Sequence, residues 1–465
     1  MSEPSQPPLP STGAELRREV LRLALPAFVA LAAEPVFLLV DSAIVGHLGT
    51  TALAGLGIAT TILLTLVGVC IFLAYATTSV VARQLGAGDR AGALSAGIDG
   101  TWLAGILGVV LAALLLLLAG PLIGAFGAGP AVTDQALAYL RPSSAGVPAM
   151  LLVLATTGVL RGFQDTLTPL LVAVIGFGAN AGLNWLLVYP LGFGIAGSAW
   201  GTVIAQWFMA GALVTVLIRY AGRAAVPLRA HPRRVLAAAG SGVPLLIRTL
   251  ALRAVLVLTA WVAAAMGEVP LAAHQVALTI WVFLTFVLDA LAIAAQAMTG
   301  RALGAGDLVA ARAATTLMVR WGALCGGALL VVVILARPWL PGLFTNDPAI
   351  DPVLTAPLGV VALSMPVTGV FCVIDGVLIG AGDGRWLAWS MVGLLTAYAP
   401  IALGIRAFRE GLLAPAGSSA AAIGHGQVNA ITWLWVGFTA FLALRATVLW
   451  LRVRTDAWLV VGAAP

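Results

Sequence analysis

The sequence of 465 residues contains few charged side chains and no lysine: Asp, Glu, Lys and Arg make up 9% of it, and all 24 basic residues are arginines. Soluble domains carry about 25% charged residues, so a water-soluble globule is excluded. Without lysine the chain has neither the P-loop motif that binds ATP nor a residue for Schiff-base chemistry. It therefore carries no ATP-driven motor of its own.

Cysteine and histidine are also scarce. Cys70, Cys325 and Cys372 lie in separate apolar stretches, which excludes a disulfide framework. The four histidines are scattered and predict no metal site. The His-Glu-x-x-His and Gly-x-Ser-x-Gly motifs of hydrolases are missing. We therefore expect no enzyme activity and no cofactor. The arginines lie in short loops between apolar runs, which is typical of a membrane protein and does not indicate nucleic-acid binding.

Apolar residues, by contrast, make up 61% of the chain. A membrane-spanning helix needs about 20 of them in a row, and the runs are too long and too uniform for the alternating strands of a membrane β-barrel. The sequence predicts an all-α integral membrane protein with twelve transmembrane helices. The predicted spans are residues 20–44, 52–80, 93–120, 132–160, 168–190, 195–219, 235–266, 270–299, 309–335, 353–380, 386–408 and 427–451.

Arginine counts predict the orientation of these spans. One set of loops holds most of the arginines, and such loops face the cytoplasm. We therefore expect a multi-pass protein of the cell membrane with both termini in the cytoplasm. We expect residues 1–19 to form a disordered cytoplasmic tail. We expect residues 220–234 to form a basic linker between an N-lobe (20–219) and a C-lobe (235–465).

The two halves of the sequence are related by a constant offset of 218 residues. The segment Arg-Gln-Leu-Gly-Ala-Gly-Asp at 83–89 recurs as Arg-Ala-Leu-Gly-Ala-Gly-Asp at 301–307, and Pro26 matches Pro244. This repeat predicts two pseudo-symmetric six-helix lobes whose rocking gives alternating access. We interpret the repeated segment as a helix C-cap with a basic anchor, rather than as a gating or nucleotide loop.

Two acids lie in the first predicted span. Glu34 and Asp41 are seven residues apart, so they share a helix face. Pro26 and Pro35 lie in the same helix and permit it to bend. Ionisable residues inside a membrane are functional by default, and a bendable acidic helix has the properties of a protonation switch. The alternative is that Asp41 only bonds a neighbouring helix.

Polar residues of the next spans are candidates for a cavity around Asp41. Asn180 and Asn184 are four residues apart, as are Thr202 and Gln206, so each pair shares a helix face. Tyr139 lies in the fourth predicted span. These side chains predict a polar substrate cavity in the first half, or else hydrogen bonds that hold helices together.

Charges in the second half indicate ion pairing. Arg248 and Arg253 lie in the seventh predicted span, and a buried arginine must find a partner. Asp289 and Asp375 are the available anions. We expect a structural ion pair among these residues.

Three segments resemble the multidrug and toxic compound extrusion (MATE) family, specifically its DinF branch, and the likeness covers nearly the whole chain beyond residue 20. The resemblance implies a MATE-type (MOP-type) fold with a substrate cavity between or within the lobes. It implies that Asp41 is the coupling site and that Asn180 and Asn184 lie near it. The segments are Leu25-Pro26 with Ala33-Glu34-Pro35 and Val40-Asp41-Ser42-Ala43-Ile44-Val45-Gly46-His47-Leu48-Gly49; Leu271-Ala272-Ala273-His274-Gln275 with Leu288-Asp289-Ala290-Leu291-Ala292-Ile293-Ala294-Ala295-Gln296; and Ile374-Asp375-Gly376 with Gly380-Ala381-Gly382-Asp383.

The sequence departs from the family pattern at Asn184, where some members carry Asp. This leaves one titratable group fewer in the first lobe, so a scheme with two carboxylates near that point would need Glu34 as the second. The paired second-lobe acids of other MATE branches are not evident.

The resemblance implies a secondary exporter of organic, often cationic and amphipathic compounds, and we expect proton antiport through Asp41 to drive it. Sodium coupling is the first alternative. A flippase of lipid-linked precursors would need a cationic cavity, for which Arg248 and Arg253 are the candidates. A scaffold without transport is the alternative from another class. The expected partners are a small organic substrate and membrane lipids, with no nucleic acid, and we expect a monomer.

Overall fold

The computed structural model describes residues 13–344, 350–408 and 420–463. Within these ranges the chain is helical and contains no strand. Eleven helices are long and apolar enough to cross a membrane, or twelve if the bent pair α5–α6 is one span. The predicted all-α membrane fold is confirmed. The helices are α1 (Gly13–Gly46), α2 (Thr50–Val69), α3 (Phe72–Gly86), α4 (Arg90–Gly124), α5 (Pro130–Ser144), α6 (Val147–Gly162), α7 (Leu167–Val188), α8 (Gly194–Arg223), α9 (Pro232–Ala264), α10 (Glu268–Gly304), α11 (Leu308–Ala336), α12 (Leu340–Phe344), α13 (Ile350–Gly380), α14 (Gly384–Ala407) and α15 (Ala420–Arg454).

The first helix begins earlier than the sequence predicted. It starts at Gly13, so the expected disordered tail of residues 1–19 was wrong for residues 13–19. Glu15 lies in the first turn, where a negative charge stabilises the positive end of the helix dipole. Residues 1–12 lie outside the described part of the chain. The linker between the halves is shorter than expected, because α8 ends at Arg223 and α9 begins at Pro232.

The predicted fourth span is bent. Its two parts, α5 and α6, meet at an angle of 51°. Pro142 lies inside α5, and Pro148 lies in the first turn of α6. Pro142 lacks the N–H that would continue the hydrogen-bond ladder of α5. Pro148 suits the first turn of a new helix, where an N–H would have no partner within the helix. The bend brings Gly146 against the side chain of Gln206 on α8.

The described chain forms two compact units, which differ from the two sequence halves. Unit 1 comprises residues 1–246, 296–308 and 461–465. Unit 2 comprises residues 247–295 and 309–460. The first turns of α9 and the last turns of α10 therefore pack with the helices of the first half.

Small residues allow close helix packing inside each unit. In unit 1, Gly108 of α4 lies against Pro148 of α6, and Gly158 of α6 lies against the backbone of Ala74 on α3. In unit 2, Gly322 of α11 and Gly369 of α13 each face the backbone carbonyl of the other. Such contacts are the usual basis of helix association in membranes.

In both copies of the repeated segment, the helix ends in the same type of turn. The Asp89 N–H donates to the carbonyl of Gln84, and the Asp307 N–H donates to the carbonyl of Ala302. Gly88 and Gly306 adopt φ values of 82° and 74°, the left-handed conformation of a helix C-cap. The predicted capping role is confirmed.

The two copies of the segment also contact each other within unit 1. A Cβ atom on Gly86 would overlap the carbonyl of Arg301, and one on Gly304 would overlap the carbonyl of Arg83. Both arginines are buried. The Arg83 Nε donates to the Gly462 carbonyl at 3.1 Å, and the Arg301 Nη1 donates to the Gln164 Oε1 at 2.6 Å. Only glycine allows this approach of two backbones.

Candidate functional site

Asp41 lies near the C-terminal end of α1 and is 3% exposed. Its Oδ1 accepts hydrogen bonds from the Asn184 Nδ2 at 2.8 Å and from the Ser198 hydroxyl, and its Oδ2 accepts one from the Tyr139 hydroxyl at 3.2 Å. These donors come from α7, α8 and α5. All three are neutral, and no described residue forms an ion pair with Asp41.

The hydrogen bonds continue from Asp41 along α7 and α8. The Asn184 Nδ2 also donates to the Asn180 Oδ1 at 3.0 Å, and the Asn180 Nδ2 donates to the Thr202 Oγ1 at 3.0 Å. The helical spacing of four residues places Asn180 with Asn184, and Ser198 with Thr202, on facing sides of the two helices. Gly201 of α8 lets the helices approach at this level, since a Cβ atom there would overlap the Asn184 side chain.

A cavity of about 210 Å³ lies beside this network in unit 1. Its polar wall includes Tyr139, Asn180, Thr202 and Gln206. Asp41 and Asn184 are not on the wall and lie behind it, one hydrogen bond away through Tyr139 or Asn180. The remaining lining is mostly apolar: Phe37, Leu38, Thr60, Leu63, Leu64, Val67, Ser143, Met150, Val153, Leu154, Ala173, Phe177 and Met209.

The structure thus brings the polar residues named from the first half together around Asp41. Glu34 lies on α1, but its side chain lies outside the described part of the chain. The Asn184 Oδ1 has no hydrogen-bond partner although it is buried. A cation beside Asp41 would therefore find a further oxygen ligand there.

The second-half charges form a separate cluster in unit 2. Arg248 pairs with Asp375, one of the two acids named as possible partners. Arg445 of α15 also binds the Asp375 Oδ2, at 2.9 Å, and its guanidinium lies 4.4 Å from the centre of the Phe371 ring. Asp289 forms a hydrogen bond with the thiol of Cys372. Arg253, in contrast, is exposed.

Three residues at polar sites of the structure, Ser198, Arg445 and Asp99, were not predicted from the sequence. Ser198 is a neighbour of Asp41, and its spacing of four from Thr202 was the available signal. Arg445 lies within the last predicted span and Asp99 within the third, so both were detectable as ionisable residues inside a span.

The MatE family model matches residues 26–186 and 244–403. The two matched segments begin at Pro26 and Pro244, which are the same 218 residues apart as the internal repeat. The predicted duplication of the chain is therefore confirmed at the level of family homology.

Curated relatives match over almost the whole chain. Protein DETOXIFICATION 44, chloroplastic, of Arabidopsis thaliana is 31% identical over 98% of this chain and 86% of its own length. DNA damage-inducible protein F of Escherichia coli K12 is 29% identical over 94% and 92%, respectively. The multidrug resistance protein NorM of Photobacterium profundum is 26% identical over 94% and 95%.

Solved structures share the fold. A MATE transporter of Vibrio cholerae superposes with a TM-score of 0.83 at 20% identity, covering 96% of this chain and 99% of that one. A MATE structure in a bent conformation superposes with a TM-score of 0.81 at 22% identity, covering 95% and 96%. These proteins are transporters rather than enzymes. Because the family model matches both halves and a relative is 31% identical over 98% of the chain, this protein belongs to the MATE family of multidrug efflux transporters.

Proposed function

We propose that this protein exports organic compounds by proton antiport through Asp41. The observation that carries the proposal is the setting of this carboxyl group: it is buried, and only neutral donors contact it. Asp375, in contrast, is held by two arginines. A permanent ion pair fixes the charged state of a carboxylate, whereas neutral donors leave both protonation states accessible.

Proton transfer at Asp41 would rearrange its hydrogen bonds. In the described geometry three donors converge on an acceptor-only carboxylate. A protonated carboxyl group becomes a donor itself, so at least one of the three hydrogen bonds must break or reverse its direction. Tyr139 and Asn180 belong to both the Asp41 network and the cavity wall. The protonation state of Asp41 would thereby alter the shape of the cavity.

The cavity lining suits an amphipathic organic substrate. Phe37 and Phe177 stack with ring centroids 5.2 Å apart and supply an apolar surface, and the lining also carries amide and hydroxyl groups. No basic residue is among the lining residues described, so a cation would meet no repulsion there. The cavity is smaller than typical drug sites of about 300–1,000 Å³, so it would widen to accept a large substrate.

One proton per cycle supplies enough energy for export. A membrane potential of roughly 100 mV contributes about 2.3 kcal/mol per charge, and one pH unit contributes about 1.4 kcal/mol. For a neutral substrate, these two contributions together sustain a gradient of several hundredfold, since about 1.4 kcal/mol corresponds to a factor of ten. For a monovalent cation the exchange is electroneutral, so the pH unit alone sustains about a tenfold gradient.

In this proposal both termini face the cytoplasm, the protein acts as a monomer, and proton uptake from outside drives the change of access. The bend that this requires is assigned to α1, which contains Pro26 and Pro35. Fusion of a cytoplasm-specific reporter to the C-terminus tests the orientation. An inactive reporter in intact, expressing cells would contradict it.

The decisive experiment compares ethidium efflux by the wild type and Asp41→Asn in proteoliposomes with an imposed pH gradient. We expect the wild type to transport and Asp41→Asn to lose proton-driven transport, because an amide cannot exchange a proton. Asp134→Asn is the matched control, since Asp134 is an exposed acid on α5 of the same unit. Equal efflux from wild type and Asp41→Asn would refute the coupling role.

Sodium coupling is the second candidate, because the unpartnered Asn184 Oδ1 and the Asp41 carboxylate could share a cation. An inward sodium gradient at equal pH on both sides separates the two. Proton coupling predicts no transport under this condition. Sustained ethidium export would support sodium. The flippase alternative is disfavoured, since Arg248 is committed to Asp375.

A further inference from the structure

A second cavity in unit 1 has no part in the proposed coupling site. It measures about 510 Å³ and lies between α3, α4 and the first turns of α9. It shares no lining residue with the cavity beside Asp41. Successive spans run in opposite directions, so the turn between α3 and α4 lies at the end of the bundle where α1 begins. Asp41, near the end of α1, lies towards the other side.

Asp99 of α4 lines this second cavity and is 3% exposed. Its Oδ1 accepts a hydrogen bond from the backbone N–H of His231 at 3.3 Å. Its Oδ2 is buried and has no hydrogen-bond partner, and no described residue forms an ion pair with it. An isolated carboxylate in such surroundings is costly. The hydrogen bond from His231, just before α9, therefore gives a partner to only one of the two carboxylate oxygens of Asp99.

The other polar groups of the cavity do not neutralise Asp99. The side chain of Arg234 is the basic group on the wall, and its Nη1 donates to the Ser95 hydroxyl at 2.7 Å, one helical turn from Asp99. The Asp89 carboxylate accepts from the backbone N–H of Gly92 at 2.7 Å and adds a second negative charge. The Gln84 Oε1 is a further acceptor without a partner. The lining therefore carries two carboxylates and one guanidinium.

The remaining lining is apolar and large enough for an organic molecule. Phe72, Leu73, Val80 and Leu103 contribute apolar surface to the lining. The volume lies within the range of about 300–1,000 Å³ that is common for small-molecule sites. An inorganic ion would leave most of this surface empty, whereas a compound with one positive charge and an apolar body would use both parts.

We propose that this cavity is a second binding site, which takes an organic cation with its charged group at Asp99 and its apolar body against Phe72 and Leu103. The site rests on the proposed export function, in which it receives the substrate from the side of the arginine-rich loops before the substrate reaches the cavity beside Asp41.

Equilibrium binding of ethidium to the purified full-length protein in nanodiscs, at fixed pH and without a gradient, tests the proposal. We expect Asp99→Asn to weaken one class of sites by at least about tenfold, through loss of the charge pair. The asparagine retains an oxygen for the His231 N–H, so the fold is preserved. Leu103→Trp fills the cavity but keeps the carboxylate, and it should also remove this class of sites. Asp134→Asn should bind as the wild type does.

Unchanged ethidium affinity and stoichiometry in both Asp99→Asn and Leu103→Trp would overturn the second site. Loss of ethidium binding in Leu103→Trp alone would also overturn the role of Asp99. The result is independent of the coupling test, because no gradient is used. If Asp41→Asn transports normally while Asp99→Asn binds weakly, the antiport proposal fails and the second site stands.

Discussion

At the scale of single residues, Asp41 and Asp375 are two buried carboxylates in opposite electrostatic surroundings. Asp41 accepts hydrogen bonds from Asn184, Ser198 and Tyr139, all neutral, whereas Asp375 lies between Arg248 and Arg445. The sequence predicted a protonation switch at Asp41 and a structural ion pair in which Asp289 or Asp375 is the anion. The structure places Asp375 as the anion of such a pair, and the described donors around Asp41 are neutral.

The arginine cluster makes a prediction about stability. Asp375→Ala leaves Arg248 and Arg445 buried without their common anion, and removal of one partner from such a site costs about 3–5 kcal/mol. The exposed pair Arg312–Asp456, with atoms 2.8 Å apart, is the matched control. Arg312→Ala should cost about 1 kcal/mol or less. Thermal unfolding in detergent measures both. Similar shifts of Tm in the two variants would show that the cluster is not a structural anchor.

At the scale of helices, the molecule uses glycine in two distinct ways at one motif. Gly88 and Gly306 have positive φ and end their helices, while Gly86 and Gly304 have no Cβ to obstruct the facing backbone. The sequence predicted the first role from the position of glycine after a helix. The second role depends on a contact between residues more than 200 positions apart, which no local pattern contains.

Alanine at Gly86 or Gly304 should destabilise unit 1, because the new Cβ would overlap a backbone carbonyl that no side-chain movement can relieve. Gly57, inside α2, has open space around its Cα, so Gly57→Ala is the control. It should stabilise the helix by about 0.5–1 kcal/mol. Thermal unfolding of the three single variants provides the comparison. A Tm for Gly86→Ala and Gly304→Ala at or above that of Gly57→Ala would refute the close contact.

At the scale of the whole molecule, the proposed antiport requires that Asp41 and the cavity beside it communicate. The described path is short: Asp41, Asn184, Asn180 and Thr202 are joined by successive hydrogen bonds, and the last two lie on the cavity wall. Alternating access then needs only a change in one wall of the cavity together with movement of α1.

Thr202→Val tests this path, since valine keeps the shape of threonine but cannot accept the hydrogen bond of Asn180. We expect ethidium binding to stay within about tenfold of the wild type, because a single neutral hydrogen bond contributes only about 0.5–1.5 kcal/mol. Efflux driven by a pH gradient should fall more strongly than binding. The measurement is the ratio of transported ethidium to protons taken up. An unchanged ratio would place the coupling path elsewhere.

The sequence by itself determined that this chain is a membrane protein of helices in two related halves, with an acid in its first span. These features can be recognised without knowledge of packing, because they depend only on the length of an apolar run, the spacing of residues on one helix and a constant repeat offset. The tertiary structure decided which groups meet. Ser198 lies 157 residues from Asp41 in sequence, and Arg445 lies 70 from Asp375, yet each pair is in direct contact. The reason is that the rotation of each helix about its axis, and the glycines that set helix separation, fix the partners of a buried charge.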